Sequence, residues 1–145
     1  MKKVVTKLLT MMFVFTILFT AVGSTASAAS LDQKAKQICT KYSKAAKAGS
    51  CVGKVKVSYK KEKGAYNFTF TLNMNTSASM LQMSKMMAPK YYNETRDSIK
   101  KTSAKLRKDI KKQGIKKVNV TYVVKAKGTK VWVCKNGKLT YEKFK

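Results

Sequence analysis

Nine consecutive residues of this chain alternate without a break between large apolar and polar side chains. Tyr66, Phe68, Phe70, Leu72 and Met74 stand against Asn67, Thr69, Thr71 and Asn73. A period of two puts the five apolar side chains on one face of a strand and the four polar ones on the other. Such a strand needs a layer over its apolar face and neighbours along its edges, because unpaired buried backbone groups are costly. One neighbour lies just upstream, where Val55, Val57 and Tyr59 alternate with Lys54, Lys56, Ser58 and Lys60, and Glu62-Lys63-Gly64 supplies a turn. The two runs read as a hairpin with one face in a core.

The covering layer is also legible. Leu31, Ala35, Ile38, Tyr42 and Ala45 follow helical spacing over 31–48, with Ser30 and Gln33 placed as a capping box and Gly49 as a stop. Helical spacing returns over 77–113, where Tyr92, Ile99, Leu106 and Ile110 share a face. Pro89 divides this stretch into a Met-rich first piece and a longer helix ending before Gly114. Strand patterns close the chain at Val118–Lys125, Lys130–Lys135 and Leu139–Phe144, with turns at Lys127-Gly128 and Asn136-Gly137. The reading is a two-layer α+β domain: N-terminal helix, β-hairpin, long helix with a Pro break, and a C-terminal three-stranded antiparallel meander. The expected core is Leu31, Ile38, Tyr42, Val55, Val57, Phe68, Phe70, Leu72, Ile99, Leu106, Ile110, Val118, Val120, Tyr122 and Leu139.

Ahead of this domain, residues 1–28 read as a secretory signal peptide. Lys2, Lys3 and Lys7 precede an apolar run from Leu8 to Val22, and Ala26-Ser27-Ala28 offers a cleavage site. The run is shorter than the roughly 20 residues that span a bilayer. The expected product is one basic domain over 29–145, secreted and extracellular, held at a cell surface by charge alone if at all. Four N-x-S/T sequons, at Asn67, Asn75, Asn93 and Asn119, matter only where a glycosylating pathway exists.

Charge then limits function. The chain carries 32 basic residues, 6 acidic ones and no histidine, a net +26. Cleavage after Ala28 removes three lysines and no acid, leaving 29 basic residues against six, +23 over 117 residues. Only Arg96 and Arg107 are arginine; the rest are lysine, a hydrated point charge that suits diffuse attraction to anions more than bidentate reading. Without histidine the commonest general base and metal ligand are missing. Ser58-x-x-Lys61 and Ser98-x-x-Lys101 match a serine–lysine spacing, but 11 serines in so lysine-rich a chain yield about two such matches by chance. Glu94 and Asp97 read as helical ion-pair members, Asp97 with Lys101, rather than as a catalytic pair. No enzyme, metal site, cofactor or small-molecule substrate is expected.

The expected partners are anionic polymers or surfaces: teichoic acid, extracellular DNA or other nucleic acid, glycosaminoglycan, or lipopolysaccharide. The lysines assigned to them are Lys54, Lys56, Lys60, Lys101, Lys105, Lys108, Lys112, Lys117, Lys125, Lys127 and Lys130. Trp132 is expected to be buried, with a stacking platform for a base or sugar as the alternative. The alternative function is a cationic antimicrobial, bacteriocin-like or membrane-active protein, acting through an anionic membrane surface by the basic amphipathic helix Lys100–Lys112. Met80, Met83, Met86 and Met87 read as core filling, with an adaptable lipid- or partner-facing patch or a copper(I) ligand set as alternatives. Cys39, Cys51 and Cys134 are expected to form one disulfide and leave one thiol, with all three pairings open.

The order of elements resembles a family of small exported bacterial proteins classified as a domain of unknown function. The similar segments are Tyr66-Asn67-Phe68-Thr69-Phe70, Lys112-Gln113-Gly114-Ile115 and Asn136-Gly137-Lys138-Leu139-Thr140-Tyr141-Glu142-Lys143-Phe144. Members of that family are often acidic or mixed in charge, and this chain departs from them. The resemblance implies no activity, cofactor or site residue.

Overall fold

The structure is a computed structural model that describes residues 30–48 and 53–145; residues 1–28, where a signal peptide is expected, and Gly49 and Cys51 lie outside the described residues. Its elements are α1 (Leu31–Ala48), β1 (Gly53–Glu62), β2 (Ala65–Met74), α2 (Ala78–Met87), α3 (Pro89–Lys112), β3 (Val118–Ala126), β4 (Thr129–Lys135) and β5 (Lys138–Glu142). The capping box forms at the head of α1. Gln33 N–H donates to Ser30 Oγ at 3.2 Å, and Ser30 N–H donates to Gln33 Oε1 at 3.1 Å. The three hairpin turns share one chemistry, with positive φ at both central residues: Lys63-Gly64, Lys127-Gly128 and Asn136-Gly137. That conformation matches the twist of the flanking strands.

The strands form one sheet in the order β1-β2-β3-β4-β5. Neighbours are antiparallel except β2 and β3, which run parallel with Phe68 opposite Val120 and Phe70 opposite Tyr122. The three C-terminal strands are antiparallel to one another, but they join the hairpin through the parallel β2–β3 pair, so the single five-stranded sheet is mixed and not antiparallel throughout. The cause is the connection: two helices between β2 and β3 carry the chain back across the sheet, so β3 starts at the same end as β2.

Both long helices pack on one face of the sheet. Ala35, Ile38, Tyr42 and Ala46 of α1 and Tyr92, Ile99, Leu106 and Ile110 of α3 are buried against Phe68, Phe70, Leu72, Val120, Tyr122 and Val124. Phe70 sits between Tyr42, edge-on at 5.4 Å, and Tyr122, stacked at 6.2 Å. Three expected core residues fall on edge strands: Val55 and Val57 of β1 and Leu139 of β5 are only half-buried. Leu31 is exposed, because the first turn of α1 lies at the tip of the first hairpin, where Asp32 meets Lys61 and Tyr66. Asp97 pairs with Lys100 at 3.4 Å and Arg96 at 3.5 Å and not with Lys101, although residues three and four apart are both neighbours on a helix face.

Candidate anion-binding face

The second face of the sheet carries no helix. Alternation along β1 and β2 leaves Lys54, Lys56, Ser58 and Lys60 beside Asn67, Thr69, Thr71 and Asn73 on this open side. Cross-strand partners share a face, so the register extends each row. Lys54 lines up with Asn73, Lys125 and Lys130; Ser58 with Thr69, Thr121, Lys135 and Lys138; Lys56 with Thr71, Val123, Val133 and Tyr141. The result is a plane roughly 20 Å wide, given about 4.8 Å between strands. Hydroxyls and amides, with Val123 and Val133 between them, form its floor, and lysines stand at both margins.

An amide chain crosses that floor. Asn136 donates to Asn119 Oδ1 at 2.9 Å, Asn119 donates to Asn67 Oδ1 at 3.0 Å, and Asn67 donates to Glu62 Oε2 at 3.2 Å. Asn136 Oδ1 accepts the Val120 N–H at 2.8 Å. Each amide both gives and receives, which fixes the three strands in register.

Seven lysines share the open face: Lys54, Lys56, Lys60, Lys125, Lys130, Lys135 and Lys138. Lys130 Nζ lies 5.8 Å from the centroid of the Tyr141 ring. One carboxylate, Glu62, sits at the end of this face. The other five acids belong to the helical side: Asp32, Glu94, Asp97 and Asp109 lie on helices, and Glu142 pairs with Arg96 at 3.5 Å. Strand and helix lysines therefore differ in their surroundings as well as their place.

Of the lysines assigned from sequence, Lys54, Lys56, Lys60, Lys125 and Lys130 come together on this face. Lys127 is exposed in the adjoining turn and Lys117 in the bend before β3. Lys101, Lys105, Lys108 and Lys112 lie on α3, across the sheet from the open face, and do not join the cluster. Lys135 and Lys138, basic residues of the C-terminal strands, also belong to it, and Tyr141 joins them because the strand order brings β5 into one plane with β1.

Trp132 is fully buried on the helix side, which removes the stacking platform. Its indole N–H donates to Tyr92 Oη at 3.1 Å, and the Tyr92 hydroxyl donates to Glu142 Oε1 at 3.2 Å. Burial, together with the Glu142 charge, pushes the Tyr92 phenol up to about 12 against the pull of the indole hydrogen bond. The apolar stripe of α3 is buried as well, so the amphipathic helix proposed for membrane action has no free apolar side. Met80, Met83, Met86 and Met87 are not core: they are 45–77% exposed, because Leu81 alone is buried on α2.

Cys39 and Cys134 are free thiols. Cys39 Sγ donates to Val57 O on β1 at 3.5 Å, whereas Cys134 sits on β4, three strands away. That separation, about 14 Å by strand spacing, exceeds the roughly 7 Å a disulfide allows. Pairings with Cys51 involve a residue outside those described. Burial raises the pKa of both thiols. Among the described residues no cluster of three or more Cys, Asp or Glu side chains is placed to hold a metal, and no helix is long and apolar enough to cross a membrane.

No family model matches the chain, and neither a curated protein nor a solved structure matches it.

Proposed function

We propose that this protein is exported and binds anionic polymers non-enzymatically through the open face of its sheet. The observation that carries the reading is the seven-lysine plane with a single carboxylate at its end, floored mainly by Thr and Asn side chains with Val123 and Val133 among them. Lys54 and Lys56, two apart on β1, stand about 7 Å from each other and Lys60 follows beyond Ser58, so a linear polyanion laid along the strand meets three cations on its way. Teichoic acid, extracellular DNA, glycosaminoglycan and lipopolysaccharide all present such repeated charge. Neutralising six phosphates of duplex DNA releases counterions, and affinity then falls about a thousandfold between 50 and 200 mM salt.

The test sets a sheet variant, Lys54→Glu/Lys56→Glu/Lys60→Glu, against a helix variant of equal charge change, Lys101→Glu/Lys105→Glu/Lys108→Glu. Retention on heparin, DNA and teichoic acid columns is read across a salt series. The sheet variant should elute well before the helix variant on each column. Equal losses would show that only net charge acts, and elution of the unaltered protein from all three columns below about 150 mM, where screening reaches only about 8 Å, would end the proposal.

A further inference from the structure

A second surface of the molecule has no role in that reading. Helix α2 holds the domain through Leu81, and its N-terminus is capped by Ser77, whose Oγ accepts the Met80 N–H at 3.3 Å. At 100° per residue, Met80, Met83, Met86 and Met87 fall within an arc of about 120° centred opposite Leu81. Their exposures are 45, 50, 77 and 67%, and Tyr91 at the start of α3 adds another ring at 42%. Four adjacent thioethers turned to solvent cannot be explained by packing, and an apolar patch on a small domain marks a contact surface.

The surroundings of the patch select the contact. The sequence from Asn75 to Tyr92 contains no carboxylate. Met86 shares a shallow cleft with Gln82, Lys85, Lys143, Phe144 and Lys145. Lys85 Nζ donates to the Phe144 carbonyl and lies 5.8 Å from the Tyr92 ring centroid, which draws the basic C-terminal residues against α2. Lys90 is exposed immediately beyond Pro89. The patch is thus apolar at its centre with lysines predominating at its rim; Glu94 is exposed one turn beyond Lys90 on α3, and Glu142 is held by Tyr92 and Arg96.

We infer that α2 docks this protein on anionic lipid bilayers, with the methionines entering the headgroup–acyl boundary and Lys85, Lys90, Lys143 and Lys145 meeting lipid phosphates. A flexible, unbranched side chain fits an irregular lipid boundary well. Shallow apolar insertion and basic attraction are each marginal alone and stable together. A second copy of the chain is a poorer occupant. One ten-residue helix offers roughly a few hundred Å², below the ~800 Å² per partner of a standard interface, and like charges repel.

The experiment uses co-sedimentation with vesicles of phosphatidylcholine and phosphatidylglycerol at 3:1, with pure phosphatidylcholine vesicles beside them. Far-UV CD and Trp132 emission serve as folding controls, and sedimentation velocity reports self-association. The protein should bind the anionic vesicles and not the neutral ones. Met83→Ser/Met86→Ser/Met87→Ser should keep fold and heparin retention while losing at least about tenfold in vesicle affinity, because the apolar half of the two-part anchor is gone. Vesicle binding unchanged in the triple variant would overturn the inference and leave binding to charge alone. Failure of the unaltered protein to bind anionic vesicles would also overturn it, as would a dimer that the triple variant abolishes. Heparin retention is read separately on every sample, so loss of the sheet-face reading and loss of this one are distinguishable.

Discussion

Replacing Tyr92 by Phe removes one oxygen from the centre of a buried chain of polar contacts. That oxygen accepts the Trp132 indole N–H and donates to Glu142, whose other oxygen meets Arg96. The ring itself keeps its contact with Trp132, at 5.1 Å between centroids. Trp132 is fully buried, so its N–H is left without a partner, which costs about 1–3 kcal/mol. Glu142 loses a donor but keeps Arg96, and the phenyl ring no longer carries a hydroxyl to desolvate; these two effects oppose each other. The net expectation is about 2 kcal/mol of lost stability. Urea unfolding suits the measurement because Trp132 is the only tryptophan and lies at the altered site. With m near 1–1.5 kcal/mol/M, the midpoint should fall by roughly 1.3–2 M at unchanged m. A midpoint within about 0.3 M of the unaltered protein, where extrapolation error lies, would refute the claim that this hydroxyl holds β5 and α3 together.

Three further outcomes follow from the same geometry. Phe70→Asp puts a carboxylate between Tyr42 and Tyr122 and should cost about 5 kcal/mol; a soluble protein with an unchanged cooperative melt would show that β2 faces the other way. Gly137→Ala should destabilise by about 2 kcal/mol in urea, more than Gly64→Ala at about 1. Both glycines have positive φ, but a Cβ at Gly137 would stand 2.9 Å from Ala104 Cβ and one at Gly64 meets nothing within 4 Å. The phenols of Tyr42 and Tyr92 are both pushed up to about 12, chiefly by burial. Folded-state values above the ordinary 10 mean that their stabilisation is intact below pH 10 and is lost as pH climbs towards 12. Lysine deprotonation relieves self-repulsion over the same range, so the comparison is with Tyr92→Phe: the stability gap between the two proteins should narrow above pH 10, and a constant gap in urea titrations would contradict the assignment.

The parts of the fold written locally were legible, and the parts written between distant segments were not. Ser30 and Gln33 form the box their spacing announces, Pro89 starts a new helix, and Asn136-Gly137 turns where its φ tolerance allows. None of these residues carries information about which strand edges meet. The parallel pairing of β2 with β3 depends on the path of two helices across the sheet. Trp132 shows the same limit at one residue. Alternation puts Val131 and Trp132 on opposite faces, yet both are buried, and the β3–β4 register shifts at Val124/Lys125. The methionines misled because helical spacing reports a face without saying what covers it.

That distinction bears on the candidate site. Lysine content alone announced attraction to anions and spread the assigned residues over both layers. The sheet order then separates them into two classes. Lys101, Lys105, Lys108 and Lys112 stand on a helix that also holds Glu94, Asp97 and Asp109, so an approaching polymer meets mixed signs there. The strand lysines stand on a plane whose only acid, Glu62, accepts a hydrogen bond from Asn67. Rigidity differs too: the amide chain from Asn136 to Glu62 ties β2, β3 and the β4–β5 turn together, so the cations rise from a floor already ordered before any ligand arrives. A pre-ordered floor lowers the entropy lost on binding, whereas the lysine side chains keep their freedom to follow different phosphate or sulfate spacings. Firm backbone with adaptable cations favours broad anion binding over selection of one polymer. Loosening the floor is therefore the informative perturbation. Asn119→Ala removes the middle of the amide chain without touching a charge. Affinity for heparin should fall while the slope of log K against log salt stays the same, because the number of ion contacts is unchanged. A fall in slope together with affinity would show instead that Asn119 positions the lysines themselves.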